Sequence, residues 1–145
     1  MTTFSSIPPY ILGGACVSRG VMALLSPRKE YGHVGLLLEP SKTNTEGGSV
    51  SPLMYFKGLR EISYGLTLMA LQYQGNESAV TTFSAILSTV RLGDGLVVWM
   101  NGGDELRYKA AGHWITGLGH ILIPKIMKAE ISQNTAQLLA LLDTN

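Results

Sequence analysis

Lys57, Arg60, Glu61 and Tyr64 stand three and four residues apart in an otherwise apolar run, Met54 to Leu66. On a helix that spacing places them on one face. A second stripe, Ser84, Ser88, Arg91 and Asp94 or Gly95, and a third, Lys109, His113, Thr116 and His120, repeat the arrangement; Arg19 is the single charge of the first apolar segment, close to Cys16 and Ser18. Residue type then limits the chemistry. Arg60 and Arg91 keep their protons and would act as electrostatic donors, whereas Lys57, Glu61, Asp94, His113 and His120 could move protons if burial tunes them. Arg60, Arg91, His113, Glu61 and Asp94 are the candidate catalytic residues, with Arg19, Lys57, Tyr64 and His120 as candidate substrate-binding residues. A plain structural account stands beside this one, in which the same charges are ion pairs holding the second and third helices together. His113 and His120 are seven apart, too far for the i, i+4 pair of a helical zinc site. A metal would need Asp94 or Glu61 from another helix, and no metal site is expected.

Several classes are disfavoured by what the chain carries. A net charge of +1 without a basic cluster gives no footprint for nucleic acid. Cys16 is the only cysteine, so neither an internal disulfide nor a thiolate metal cluster can be built. No phosphate-binding glycine loop, dinucleotide fingerprint or nucleophile elbow is present, which argues against a cofactor-dependent oxidoreductase; no cofactor is expected.

Four helices are needed to position these stripes, each opened by a capping residue or a first-turn proline. Ser6 precedes a segment over about 7–25 that "SPRKE" ends; Ser51-Pro52 opens one over about 52–73; Asn76 opens one over about 77–100, closed by "NGG". Asp104 opens the fourth, about 105–123, where Pro124 should kink or stop it. Leu38 to Pro52 reads as a surface loop, and "SQNTAQLLALLDTN" as a short C-terminal amphipathic helix capped by Ser132 or a frayed terminus. The expected fold is all-α, one four-helix domain over 1–145. The opening residues lack the basic start and cleavage site of a signal peptide.

The stripes are narrow and the remaining faces apolar, the reverse of a water-soluble bundle, which buries about a third of each helix and wets the rest. Charged residues make up 14% of the chain against about 25% in ordinary domains, and hydrophobic ones 46%. Segments near the roughly 20 residues that cross a bilayer, with inward-facing charges, indicate a transmembrane bundle. Gly13, Gly14, Gly58, Gly65, Gly93, Gly112, Gly117 and Gly119 would let the helices approach closely. Against this stand short uncharged runs in the second and fourth helices and a mean hydropathy of +0.20, which leave a soluble, polar-lined bundle as the alternative. Lys and Arg in the first and third loops favour a cytoplasmic long loop. Trp99, Trp114, Tyr64, Tyr73 and Tyr108 fit an interfacial belt or a pocket wall.

"YFKGLREISYGL", "RLGDGLVVWMNGG", "SRGVMALLSP" and His113 make the chain resemble, from about Tyr10 to Ile123, the small four-helix integral membrane proteins of bacteria and fungi grouped as a domain of unknown function. Members of that group commonly carry Asp where Glu61 stands, and Pro40 to Pro52 is longer and more polar here. The resemblance implies a four-helix membrane protein; the expected location is a membrane crossed several times, with the endoplasmic reticulum as the candidate compartment. Its fungal members resemble accessory proteins of natural-product pathways.

Lipophilic surroundings without cofactor motifs point to redox-neutral chemistry on an apolar terpenoid or polyketide: an isomerisation, a cyclisation or a pericyclic, Diels-Alder-type closure. Such reactions gain from folding the substrate into a near-attack geometry, with donors such as Arg60, Arg91 or His113 on a carbonyl. The rivals are a non-catalytic membrane scaffold or transport subunit and a soluble lipophile-binding bundle.

Overall fold

A computed structural model describes residues 7–40 and 48–142; beyond Gly119 it describes the backbone and only some side chains, His120 not among them. The described residues are helical throughout, apart from turns and one isolated bridge, Glu39 to Ser49. In order come α1 Ile7–Leu25, α2 Pro27–Val34, α3 Pro52–Tyr73, α4 Glu77–Asn101, α5 Gly103–Leu106, a 3-10 turn at Arg107–Lys109, and α6 Ala110–Leu142.

The all-helical expectation holds, with six helices in place of four. α1, α3 and α4 begin and end within a residue of the positions read from caps and prolines. Ser51 accepts from the Leu53 amide at 3.4 Å and Asn76 from the Ala79 amide at 3.0 Å, so both expected caps form. Ser6 lies outside the described residues. "SPRKE" does end α1 but opens α2, because Pro27 suits a first helical turn and Gly35, at φ 93°, supplies the left-handed residue that closes it. The Gly35 and Leu36 amides both donate to the Tyr31 carbonyl there.

Asp104 lies inside the single turn α5, whose N-cap is Gly102, so it opens no helix, and the last long helix starts at Ala110. It then runs through Pro124, so no separate C-terminal helix begins at Ser132. A proline removes one ladder hydrogen bond, and the apolar sequence on either side keeps the remainder.

Consecutive long helices are antiparallel, and glycines set two close crossings. A methyl group on Gly20 would lie 2.6 Å from the Gly58 carbonyl oxygen, and one on Gly13 would lie 2.9 Å from that of Gly65. α1 therefore meets α3 backbone to backbone. In the other crossing the Trp114 indole of α6 fills the space beside Gly95 of α4. Gly14, Gly93, Gly112 and Gly119 face open space and serve no such approach.

Two apolar clusters gather at one end of the helices, while Leu68, Val80 and Leu87 are buried further along them. Ala23, Tyr31 and Met54 form one cluster and Val34, Val98 and Ala110 another, joined by Leu36. α2, the segment after it, α5 and the 3-10 turn cover this end. Outward, the long helices show Ile11, Leu59, Leu66, Ile86, Leu96 and Ile115, all exposed. α1 and α4 are long and apolar enough to cross a membrane, with mean hydropathies of 1.2 and 1.3 and only 28% of each stretch buried.

Candidate functional site

Most of the charged residues singled out by spacing meet below the covered end in one alternating chain. Arg19 of α1 lies 2.9 Å from Glu30 of α2, and Lys57 of α3 donates to the same Glu30 oxygen at 3.0 Å. Lys57 stands 3.8 Å from Glu61, one turn further along α3. Arg91 of α4 grips Glu61 with two parallel bonds of 2.9 and 2.7 Å. Asp94 lies 3.8 Å from Arg91 and 3.5 Å from Arg60, which ends the chain. The sequence of charges is Arg19, Glu30, Lys57, Glu61, Arg91, Asp94, Arg60, so each carboxylate bridges two cations.

Burial separates these groups. Glu30 is 0% and Glu61 1% exposed, a position an ionised carboxylate tolerates only when paired and hydrogen-bonded. The fork of Arg91 matches the carboxylate plane of Glu61 and leaves a further Arg91 N–H to reach the Cys16 sulfur at 3.5 Å. Arg91 is thus committed to holding α1, α3 and α4 together. At the other extreme the Arg60 side chain is 42% exposed and its contact with Asp94 is long.

Three buried oxygens accept no hydrogen bond among the described residues: Glu30 Oε2, Asp94 Oδ2 and the Ser88 hydroxyl.

The free end of the charge chain opens into a cleft of about 670 Å³ between α3 and α4, roofed by the segment after α2. Met54, Phe56, Val97 and Val98 give it apolar walls, and Lys57, Arg60 and Asp94 are charges at its inner end. Glu39 and Asn101 stand toward its outer end, with Leu53. Its size lies in the range of small-molecule pockets, about 300 to 1,000 Å³. Among the described residues proposed for the site, only these three line it.

Others go elsewhere. His113 donates through Nε2 to the Val34 carbonyl at 3.0 Å, since a carbonyl can only accept. Lys109 donates to the Gly32 carbonyl, so one side chain from the 3-10 turn and one from the start of the last helix satisfy the open end of α2. His113 thereby serves as a clasp outside the cleft and the charge chain. Tyr64 packs edge-on against Phe83, with ring centroids 6.2 Å apart. Trp99 and Trp114 pair at 5.9 Å, and Arg107 lies over the Trp99 ring.

Glu30 is the residue that sequence reasoning missed. It sits in a four-residue run of turn-like composition, and its partners are 11 and 27 positions away, beyond any helical spacing. A signal existed in Pro27 and Gly35, which bracket a short helix with Glu30 in its first turn.

Comparison with curated proteins and with solved structures returned no match. A family model described as DUF4267, a domain of unknown function, matches residues 13–123 and so takes in most of α1, all of α2 to α5 and the first part of α6. That match spans most of the sequence, and the chain belongs to the DUF4267 family.

Proposed function

We propose that this chain is a multi-pass, four-helix membrane protein that receives a lipophilic small molecule in the α3–α4 cleft and rearranges it without a cofactor, as an isomerase or cyclase. The observation that carries this reading is an apolar cleft with an arginine, a lysine and an aspartate together at its inner end. Arg60 would polarise a substrate carbonyl, with its partly used guanidinium as the donor. Asp94 would take a proton from the carbon beside that carbonyl and return it elsewhere on the skeleton, so that no electrons enter or leave. Lys57, anchored on Glu30, would keep the inner end positive. Arg91 and Glu61 support this pair and do not touch substrate.

Bilayer embedding rests on the outward apolar residues of the long helices and on the two helices of spanning length. Tyr108 and Trp99 at the covered end and Tyr73 at the opposite one are placed as interfacial anchors would be. A non-catalytic scaffold is the second reading, favoured by one observation: every carboxylate of the chain already bridges two cations, as in a purely structural staple.

Metabolite profiling of the native host with and without the gene decides between them. Deletion should accumulate a lipophilic precursor isomeric with the missing product, restored by the wild-type gene and not by Arg60→Ala or Asp94→Asn variants present at normal level. An unchanged profile on deletion would overturn the enzyme reading and leave the scaffold.

A further inference from the structure

We infer that the molecule the cleft takes is a lipophilic monoanion, a carboxylate on an apolar chain, held by Arg60; this rests on the cleft being a ligand site.

Charge count is the first reason. The linked side chains comprise four cations, Arg19, Lys57, Arg91 and Arg60, and three anions, Glu30, Glu61 and Asp94. Both ends of the alternation are therefore arginines with a single carboxylate partner. Arg19 ends the chain away from the cleft, and Arg60 ends it inside. A ligand with one negative charge completes the alternation at that end: Arg60 then stands between two carboxylates, as Lys57 and Arg91 already do.

Geometry is the second reason. A guanidinium has five N–H donors in a plane and matches a carboxylate with two parallel bonds. Arg60 spends one donor on Asp94 at 3.5 Å, whereas Arg91 makes both of its short bonds to Glu61. The guanidinium that faces the cleft is the one with donors to give.

Position is the third. Arg60 lies seven residues along α3 from Leu53, about 10 Å at 1.5 Å per residue. The anion would sit at the inner end, with Phe56, Met54, Val97 and Val98 along the apolar tail, and Glu39 beyond it at the outer end.

Purified full-length protein in a neutral maltoside detergent is titrated with radiolabelled laurate, in competition with methyl laurate and with dodecylammonium. Saturable laurate binding is expected, with the ester and the ammonium competing at least about tenfold more weakly, the loss of one charge-assisted pair. Arg60→Gln should weaken laurate far more than the ester and so abolish the preference for the acid, while Arg60→Lys restores part of that preference. Displacement of laurate by phosphatidylglycerol at equal concentration would overturn the carboxylate assignment in favour of a bilayer phosphodiester, and its failure would support the carboxylate. Equal competition by ester and acid, or an equal loss of both in Arg60→Gln, would overturn the charge selection while leaving the cleft a ligand site. No saturable binding of any probe would overturn the cleft reading itself.

Discussion

At the scale of single residues, two arginines of one charge chain have opposite roles, and burial tells them apart. Arg91 closes a two-bond fork on Glu61, which is 1% exposed, so Arg91→Met would leave a buried carboxylate with only the distant Lys57. Breaking such a pair costs about 3 to 5 kcal/mol, while replacing both partners with apolar side chains of similar volume is often neutral or stabilising. Arg91→Met alone should therefore melt far below the wild type in detergent, and adding Glu61→Leu should recover most of the loss. Arg60→Ala should cost under about 1 kcal/mol, since its pairing is exposed and long. Equal melting of the two single variants would refute this division. Spacing alone marked both arginines as equivalent donors, because a stripe shows which residues share a face and not which partner each meets. Glu30 escaped for the same reason: helix α2 had to fold back before its carboxylate came between Arg19 and Lys57.

At the scale of elements, caps and prolines made α1, α3 and α4 legible, since those signals act within a few residues of the helix end. α6 was less so. One proline was read as a stop, whereas a long apolar helix tolerates the loss of one backbone bond. The glycines were legible only as a group: composition announces close approach, but which glycine meets a backbone depends on helix rotation. Gly20, which composition did not single out, sits against the Gly58 carbonyl and the Ile62 backbone, so the methyl group of Gly20→Ala must displace α3 itself. Overpacking of this kind costs about 1 to 3 kcal/mol. Gly14, six residues earlier and facing open space, should accept alanine at no cost or gain up to about 1 kcal/mol from helix propensity. Thermal unfolding of the two variants in the same detergent checks the pair; a loss at Gly14→Ala as large as that at Gly20→Ala would mean that α1 packs on α3 by another face.

At the scale of the whole molecule, the two ends of the helices differ in charge. Arg28 and Lys29 on α2, and Arg107 and Lys109 before α6, all belong to the covered end. The first six residues and the turn Gln74–Asn76 hold neither Lys nor Arg; Lys125 and Lys128 lie 15 and 18 residues into α6, about 22 to 27 Å along it, toward the opposite end. An excess of Lys and Arg marks the cytoplasmic side of a spanning protein, so the covered end should face the cytoplasm. The charge chain fits that orientation: Arg19, Lys57 and Asp94 are five to seven residues from their helix ends, roughly 8 to 10 Å along the axis, where a charge costs less than at mid-bilayer. A thiol introduced at the exposed His33 should react with a membrane-impermeant maleimide only from the cytoplasmic side of sealed vesicles, and one at the exposed Gln74 only from the other. Cys16 is buried and should remain silent in both. Labelling of both positions from one side would place the two ends on the same face of the membrane and remove the multi-pass arrangement. Release of the protein by alkaline carbonate would instead make the exposed apolar faces a contact surface for another protein, and the soluble bundle the better description.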